Sequence, residues 1–519
     1  MNLLINLNPV SEVPLQKQLY DEFRRMILLG ELGRGQKVPS TRELARALGV
    51  SRTTVTASYD YLLSEGYLEA ATGSGTYVSR KLPEELTRPD VSQELLATGT
   101  AMVPASESST PTLHEKLSWY GASLETRDWL SFSDQEPDIQ FSFGRPDFEH
   151  FPMRQWMQLI GQYARRRSLS VLDYPSRAQG YLPLREALSA YLSRSRALFC
   201  DPEQIIVVNG SQQAIDLVCR VLIDRGDLAA IEEPGYLGAQ RALSAQGAEI
   251  APIPVDQQGL KVDELKKRSR EDARRLKLVY VTPSHQYPTG VVMSLPRRLD
   301  LLSWADKYGT YIIEDDYDSE YRYKGRPIPA LAGLSHKGSV IYIGTFSKVL
   351  MPCLRLGYLV VPHHLITVFS RAKWLADRHS PLLEQQALAD FIKNGHLERH
   401  VRRMRALYES KRKLVLKTID RLFGTDAVVR GDNAGINVLV RFNTLIGDSE
   451  LEGRALAHGV GITSTREEYL TCGRQGEFLL NYGGLTEEQI VRGLSVLCQI
   501  VCPDRNAIVV DEPSHQTMT

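Results

Sequence analysis

Five short apolar runs, most of them separated by stretches of helical period, restrict the last two-thirds of this chain to one kind of architecture. They are Ile205-Ile206-Val207-Val208, Leu228-Ala229-Ala230-Ile231, Leu278-Val279-Tyr280-Val281, Tyr311-Ile312-Ile313 and Val340-Ile341-Tyr342-Ile343. A run of three or four apolar residues without alternation reads as a strand buried on both faces. Such strands alternating with helices make a largely parallel α/β sheet covered on both sides. Two later segments, 435–440 and 478–482, suggest a small C-terminal α+β domain. Residues 136–502 are therefore read as one α/β region, and 503–519 as a polar tail.

At 519 residues the chain is too long for a single core, so more domains are expected. Residues 11–80 read as one. An apolar helical period runs through Leu15, Leu19, Phe23, Met26 and Ile27 and stops at 30–35. Ser40 with Glu43 three positions on has capping-box spacing before Leu44, Ala47 and Leu48. Ser51 opens a further helix through Val55, Tyr59, Leu62 and Leu63, closed by Gly66. Two short strands, 67–69 and 76–78, flank the loop Thr72-Gly73-Ser74-Gly75. Helix, helix, turn, helix and hairpin is a winged helix-turn-helix. Residues 81–135 gather Pro, Ser, Thr and Glu and read as a linker, with aromatics at Trp119-Tyr120 and Trp129-Leu130 able to dock.

Composition narrows the classes further. The net charge is zero, so any nucleic-acid contact is local. The head itself carries nine Lys/Arg against seven Asp/Glu between 15 and 80, so pattern and not charge carries its assignment. The six cysteines are scattered, which argues against disulfides and metal sites and fits a reducing cytoplasm. No signal peptide or apolar span of transmembrane length is expected. The basic run 399–413 falls on a long expected helix and reads as a solvated face.

A set of chemically distinctive residues lies at the ends of the strands. Lys348 follows Thr345-Phe346-Ser347, Arg355 comes seven residues later, and Asp315 and Tyr317 lie at and beyond the end of the preceding strand. Pyridoxal phosphate (PLP) chemistry needs an amine to form an imine with the aldehyde, anion donors for the phosphate, and an acid that keeps the pyridine nitrogen protonated. Lys348 supplies the first and Asp315 the last, while Tyr317 can donate to the ring oxygen. Arg355 with Thr345 and Ser347 can hold the phosphate. Gly210-Ser211-Gln212-Gln213 follows a strand and opens a helix, giving a second cradle of backbone N–H groups. Any one of these is commonplace; together at strand ends, where α/β folds place ligands, they form a site.

The motifs Gly144-Arg145-Pro146-Asp147, Glu233-Pro234-Gly235-Tyr236, the run 282–290, 314–318 and Ser347-Lys348 make residues 136–500 resemble a fold-type-I aminotransferase. With Val38-Pro39-Ser40-Thr41-Arg42-Glu43-Leu44-Ala45 and Gly49-Val50-Ser51-Arg52-Thr53-Thr54-Val55, the whole resembles the MocR-type subfamily of GntR regulators. The resemblance implies PLP held as an aldimine at Lys348, with Asp315, Tyr317, Arg355, Ser347, Thr345, Ser211, Gln212 and Tyr236 around it. It also implies a homodimer in which Tyr174 reaches the partner's phosphate. It implies a double-stranded DNA operator met by Arg52, Thr53, Thr54 and Thr56, with Ser40, Arg42, Ser51 and the wing at Gly75 toward phosphates. The effector is a small amine, an amino acid or PLP itself; no membrane and no metal are expected.

Two departures from the enzymes stand out. Where many have Asn-Pro-x-Gly, this chain has Tyr287-Pro288-Thr289-Gly290, which leaves Gln286 or Tyr287 to replace the asparagine. Where many carry a carboxylate-binding arginine on a small-domain strand, it reads Leu479-Leu480-Asn481-Tyr482. Arg466, and after it Arg241, are the candidates for that task. The competing reading is a working aminotransferase with a non-essential head.

Overall fold

The computed structural model describes residues 5, 7–9, 11, 13–71, 75–83, 117–125, 137–142, 144–165, 173–174, 177–272, 274–323, 329–431 and 434–503. Contacts divide the chain into two units, Met1–Thr110 and Pro111–Thr519.

The first unit is the expected winged helix. Helix α1 (Leu15–Leu28) buries Leu19, Tyr20, Phe23, Met26 and Ile27 along one face. Helix α2 (Thr41–Leu48) opens on a complete capping box between Ser40 and Glu43 and ends on Gly49 at φ 67°, a left-handed turn that glycine enters without strain. Helix α3 (Arg52–Ser64) starts at Ser51, whose hydroxyl accepts from Thr54 N at 3.0 Å. Strands β1 (Leu68–Ala71) and β2 (Gly75–Val78) pair antiparallel, Leu68 opposite Val78 and Ala71 opposite Gly75. Leu19, Phe23, Val55, Tyr59 and Leu62 meet in a core that belongs to this unit alone. Wing residues 72–74 lie outside the described residues.

In the second unit, part of the span read as linker is a helix. Trp119–Glu125 packs on the large domain, with the Arg225 guanidinium 3.9 Å from the Trp119 ring and Arg220 5.7 Å from Tyr120. The other segment read as able to dock, Trp129-Leu130, and most of 81–135 and 503–519 lie outside the described residues. Strand β3 (Ile139–Gln140) then leads into the sheet strands β4 (Ile205–Val208), β5 (Leu228–Glu233), β6 (Glu249–Asp256), β7 (Gly259–Leu260), β8 (Leu276–Val281), β9 (Tyr311–Asp316), β10 (Val340–Thr345) and β11 (Gly357–Val360). Their order is β4-β11-β10-β9-β8-β5-β6-β7. Neighbours from β10 to β6 run parallel; β11 is antiparallel to both β10 and β4. The five apolar runs are β4, β5, β8, β9 and β10, and helices cover both faces of the sheet through two separate clusters.

The smaller domain has β12 (Ala427–Arg430), β13 (Asn437–Phe442), β14 (Val460–Gly461) and β15 (Glu477–Asn481), with β12-β13-β15 antiparallel and β14 paired to β3. The basic run 399–413 lies on the helix His396–Phe423, and it is less solvated than the sequence suggests. His400, Lys411 and Arg412 are buried, and Arg405 donates to Glu320 O at 2.8 Å. Lys411 pairs with Asp147 at 2.8 Å, tying this helix to the start of the domain.

Candidate functional site

Strand pleating decides which acid of Glu314-Asp315-Asp316 faces the ligand side, because neighbouring side chains on a strand point to opposite faces. Glu314 and Asp316 point one way. Glu314 accepts from Leu331 N and Ala332 N, both at 2.7 Å, and so caps a short helix. Asp316 accepts from Arg196 at 2.8 Å and from Tyr342 at 2.6 Å. Asp315 points the other way, into a cavity of about 280 Å³ at the C-terminal ends of the parallel strands. Tyr280 on the adjacent strand donates to Asp315 Oδ2 at 2.7 Å, while Oδ1 is buried without a partner. Burial pushes the Asp315 carboxyl up to about 7.

Lys348 enters the same cavity from the turn after β10, and its Nζ donates to Gly144 O at 2.7 Å. Burial lowers its pKa, partly offset by Asp318 and Asp315. A Cβ on Gly144 would come within 2.3 Å of Nζ, so a side chain there would force the end of the lysine to shift. Thr345 Oγ1 accepts from Ser347 N at 3.2 Å and fixes the turn that aims the lysine.

The opposite wall is the start of helix Ser211–Leu222. Gly210 precedes it at φ 91°, and Arg355 Nη2 donates to Asn209 O at 2.7 Å beside it. A Cβ at Gly210 would stand 3.2 Å from that guanidinium. This turn is braced from behind: Asp377 Oδ2 accepts from Asn209 and Gln213 side chains, each at 2.7 Å, and Oδ1 accepts from the buried Lys373. An arginine, a glycine turn and free helix-start N–H groups together make an anion cradle.

Among the expected site residues, Lys348, Asp315, Tyr317, Thr345, Ser347, Ser211 and Tyr236 line the one cavity. Gln212 adjoins it, donating to Gly238 O and meeting the Tyr236 hydroxyl at 3.3 Å. Of the two residues left open in the Tyr287-Pro288 motif, Tyr287 lines the cavity; Gln286 turns into the core and donates to Pro234 O at 2.8 Å. Arg355 stands outside the lining, at Gly210 in the cradle, and three further expected residues do not line the cavity either. Tyr174 is 71 % exposed and packs on His379 and Arg378. Arg241 lies 3.7 Å from Glu467, and Arg466 is exposed in the turn Arg466–Glu468. That turn belongs to a small-domain loop that reaches the loop after β5. Glu233 accepts from Leu470 N and Thr471 N, and Gly235 N donates to Glu468 O at 2.9 Å.

Sequence reasoning missed Tyr280, Asn437 and Ser142 on the cavity wall, and did not recognise Asn481 as a wall residue. Tyr280 had a signal, being a lone hydroxyl near the end of a buried apolar run.

A larger hollow of about 710 Å³ opens beside Arg322 and Arg430, but among the described residues it gathers no lysine and no glycine-led helix start. No described helix is long and apolar enough to cross a membrane, and no described cluster of side chains could hold a metal ion.

In the first unit the residues expected at DNA are on the surface. Ser40, Arg42, Ser51, Arg52, Thr53 and Gly75 are exposed, and Thr54 and Thr56 half-buried. The hydroxyls of Ser40 and Ser51 are engaged in their helix caps.

Comparison with known proteins matches both units. Residues 136–497 match the family of aminotransferases of class I and II, and residues 15–78 the gntR family of bacterial regulatory proteins. The chain is 36 % identical to the probable rhizopine catabolism regulatory protein MocR of Rhizobium meliloti, covering 95 % of each. It is 30 % identical to the pyridoxine biosynthesis transcriptional regulator PdxR of Corynebacterium glutamicum, over 94 % of this chain and 96 % of that one. Among solved structures, the kynurenine aminotransferase of Pyrococcus horikoshii in complex with PMP superposes with TM-score 0.67 at 28 % identity, covering 72 % of this chain and 92 % of that one. The chain belongs to the MocR-type subfamily of GntR proteins, PLP-dependent DNA-binding transcription regulators that join a winged helix to a fold-type-I aminotransferase-like domain.

Proposed function

We propose that a small amine reaching Lys348 switches the operator binding of this regulator. The observation that carries the reading is the convergence, in one cavity, of an amine at Lys348, a buried acid at Asp315 and an anion cradle at Gly210-Ser211. The residues present fit PLP. Asp315 Oδ1 is an orphaned buried acceptor suited to a protonated ring nitrogen, and the glycine turn leaves room for a phosphate. When bound, the cofactor supplies an aldehyde and an electron-withdrawing ring that react reversibly with primary amines.

In this reading Lys348 Nζ is the attachment point and Asp315 holds the proton on the ring nitrogen. Tyr317 donates to the ring oxygen, held by the His285 Nδ1 contact at 3.1 Å. Ser211, Gln212, Thr345, Ser347 and Arg355 hold the phosphate, and Tyr236 stacks beside the ring. Tyr174, exposed on its own chain, serves the phosphate of a second copy, so the working form is a cytoplasmic homodimer. Residues 11–80 meet operator DNA through Arg52, Thr53, Thr54 and Thr56, with Ser40, Arg42, Ser51 and Gly75 toward the backbone. An effector moves such an equilibrium only by binding its two states with different affinity. The loop contacts from Glu233 to Leu470 and Thr471 are the element that opening or closing the small domain would break or make.

The test is the visible absorption of the purified protein, borohydride fixation of the cofactor, and a gel shift on the DNA upstream of its own gene. Wild type should be coloured, fix cofactor and shift DNA; Lys348→Ala should lose fixation and keep the shift. Cofactor fixed to the Lys348→Ala protein would overturn the assignment.

A further inference from the structure

The half of the cavity contributed by the small domain is built from amides and a leucine. Asn437 and Asn481 are direct cross-strand partners on β13 and β15, and Leu439 and Leu479 are the next same-face pair. Asn437, Asn481 and Leu479 line the cavity, and both asparagines are buried, at 7 % and 2 % exposure. Asn481 Nδ2 is buried with no hydrogen-bond partner, and it lies near Lys348: an atom built on Gly144 would be 3.6 Å from Nδ2 and 2.3 Å from Nζ. The neighbouring wall is equally neutral. Ser142 and Ser211 add hydroxyls, and Tyr236, Tyr287 and Tyr317 stand edge to face at centroid separations of 5.6 and 6.1 Å. Behind Tyr287 stands the Glu468 carboxyl. Glu468 Oε1 accepts from the Tyr287 hydroxyl at 3.2 Å, and Oε2 from Leu237 N at 2.9 Å. Lys348 is the one cationic side chain lining the cavity among the described residues, and it is committed to the cofactor.

A carboxylate brought into such a space would lose its water without gaining a cation, which is unfavourable even where one amide donates to it. A hydroxyl there satisfies Asn481 Nδ2 and in turn donates to an amide or tyrosine oxygen, at no charge cost. We propose that the effector is a primary amine whose other groups are neutral hydroxyls, and that Leu479, Asn437 and Asn481 exclude amino acids that would direct a carboxylate at the small domain. This rests on the cofactor reading above and names the effector class of that same site.

The experiment compares serinol with serine, which differ only in a hydroxymethyl group in place of a carboxylate. Both are titrated into the full-length, cofactor-loaded protein while its visible absorption is followed. Serinol is expected to change the spectrum at a concentration lower by about tenfold or more. In Leu479→Arg the order should reverse, because a guanidinium then faces the cavity. Equal or stronger response to serine in the wild type, no response to serinol, or an arginine variant that gains nothing for serine overturns the proposal. A purified protein that shows no lysine-linked cofactor absorption sinks the cofactor reading instead, and this inference with it. With that absorption present, a preference for serine removes this inference alone.

Discussion

Tyr280 donates to Asp315 across two adjacent parallel strands at 2.7 Å, leaving one oxygen of a fully buried carboxylate aimed into the ligand cavity without a partner. Without cofactor this arrangement is costly to ionise, which is why burial raises the Asp315 carboxyl to about 7 from an ordinary 3.8. Tyr280 and the nearby Lys348 offset that cost only in part.

The pH dependence follows with a definite sign. Because the folded value is raised, the group's stabilising contribution is present below pH 4 and lost as pH rises toward 7. In cofactor-free protein Asp315→Asn should therefore be stabilising at pH 8, by roughly 1–3 kcal/mol, and close to neutral at pH 4. The same variant should release PLP more readily. Thermal midpoints of the cofactor-free pair at both pH values check this; identical midpoints at pH 8 would mean the carboxyl is not desolvated.

Asp316 carries the opposite prediction. Although burial alone would raise it, Arg196 and Tyr342 hold its carboxyl below the ordinary range, and Arg196 also meets Glu320 at 2.7 Å. Removing Arg196 leaves two carboxylates, Asp316 and Glu320, without their cation, so Arg196→Met should cost about 3–5 kcal/mol in urea unfolding while the cofactor spectrum of the folded fraction is unchanged. A variant as stable as the wild type would show that the pair is not buried in solution.

Comparing these two neighbours shows what was readable in the sequence. That an acid at the end of β9 lines the ligand cavity follows from strand-end placement, a local property, and so do the caps at Ser40 and Ser51. Pleating then separates Asp315 from Asp316, so the importance of Asp316 to the fold comes from Arg196, 120 residues away. The Asn437–Asn481 pair depends on the register of two strands separated by a helix, the strand β14 and a turn, which no local pattern specifies. The same limit applies to the Lys373–Asp377–Asn209 brace behind the anion cradle. For Arg466 and Arg241 the sequence offers only position, one in the small domain and one after the 233–236 loop, and tertiary placement leaves both out of the cavity lining.

On the head, Arg52 is exposed at the first turn of α3, and none of the core residues of that unit depends on it. Arg52→Ala should weaken operator binding by about 1–3 kcal/mol at fixed salt without shifting the thermal midpoint. Ser51→Ala removes the cap of the same helix and should lower stability by about 1 kcal/mol as well. Electrophoretic shifts and melting curves on both variants separate contact from scaffold; an Arg52→Ala protein with full affinity would take that side chain out of the interface.

The winged helix has a closed core of its own, from Leu19 and Phe23 through Val55, Tyr59 and Leu62 to Val78, so residues 1–83 should fold alone. If the working form is a homodimer, full-length protein presents two such heads, and once one is bound the second binds at a high effective concentration set by the tether and not by solution. The isolated head has no such advantage. Its affinity for an operator with two elements should fall by on the order of a hundredfold relative to the full chain, while for a single element the two should be similar. Titration of both proteins on one-element and two-element DNA, at the same salt, measures the difference. Equal affinity of head and full-length protein on the two-element operator would exclude paired heads, and with them the role assigned to Tyr174 in a shared site.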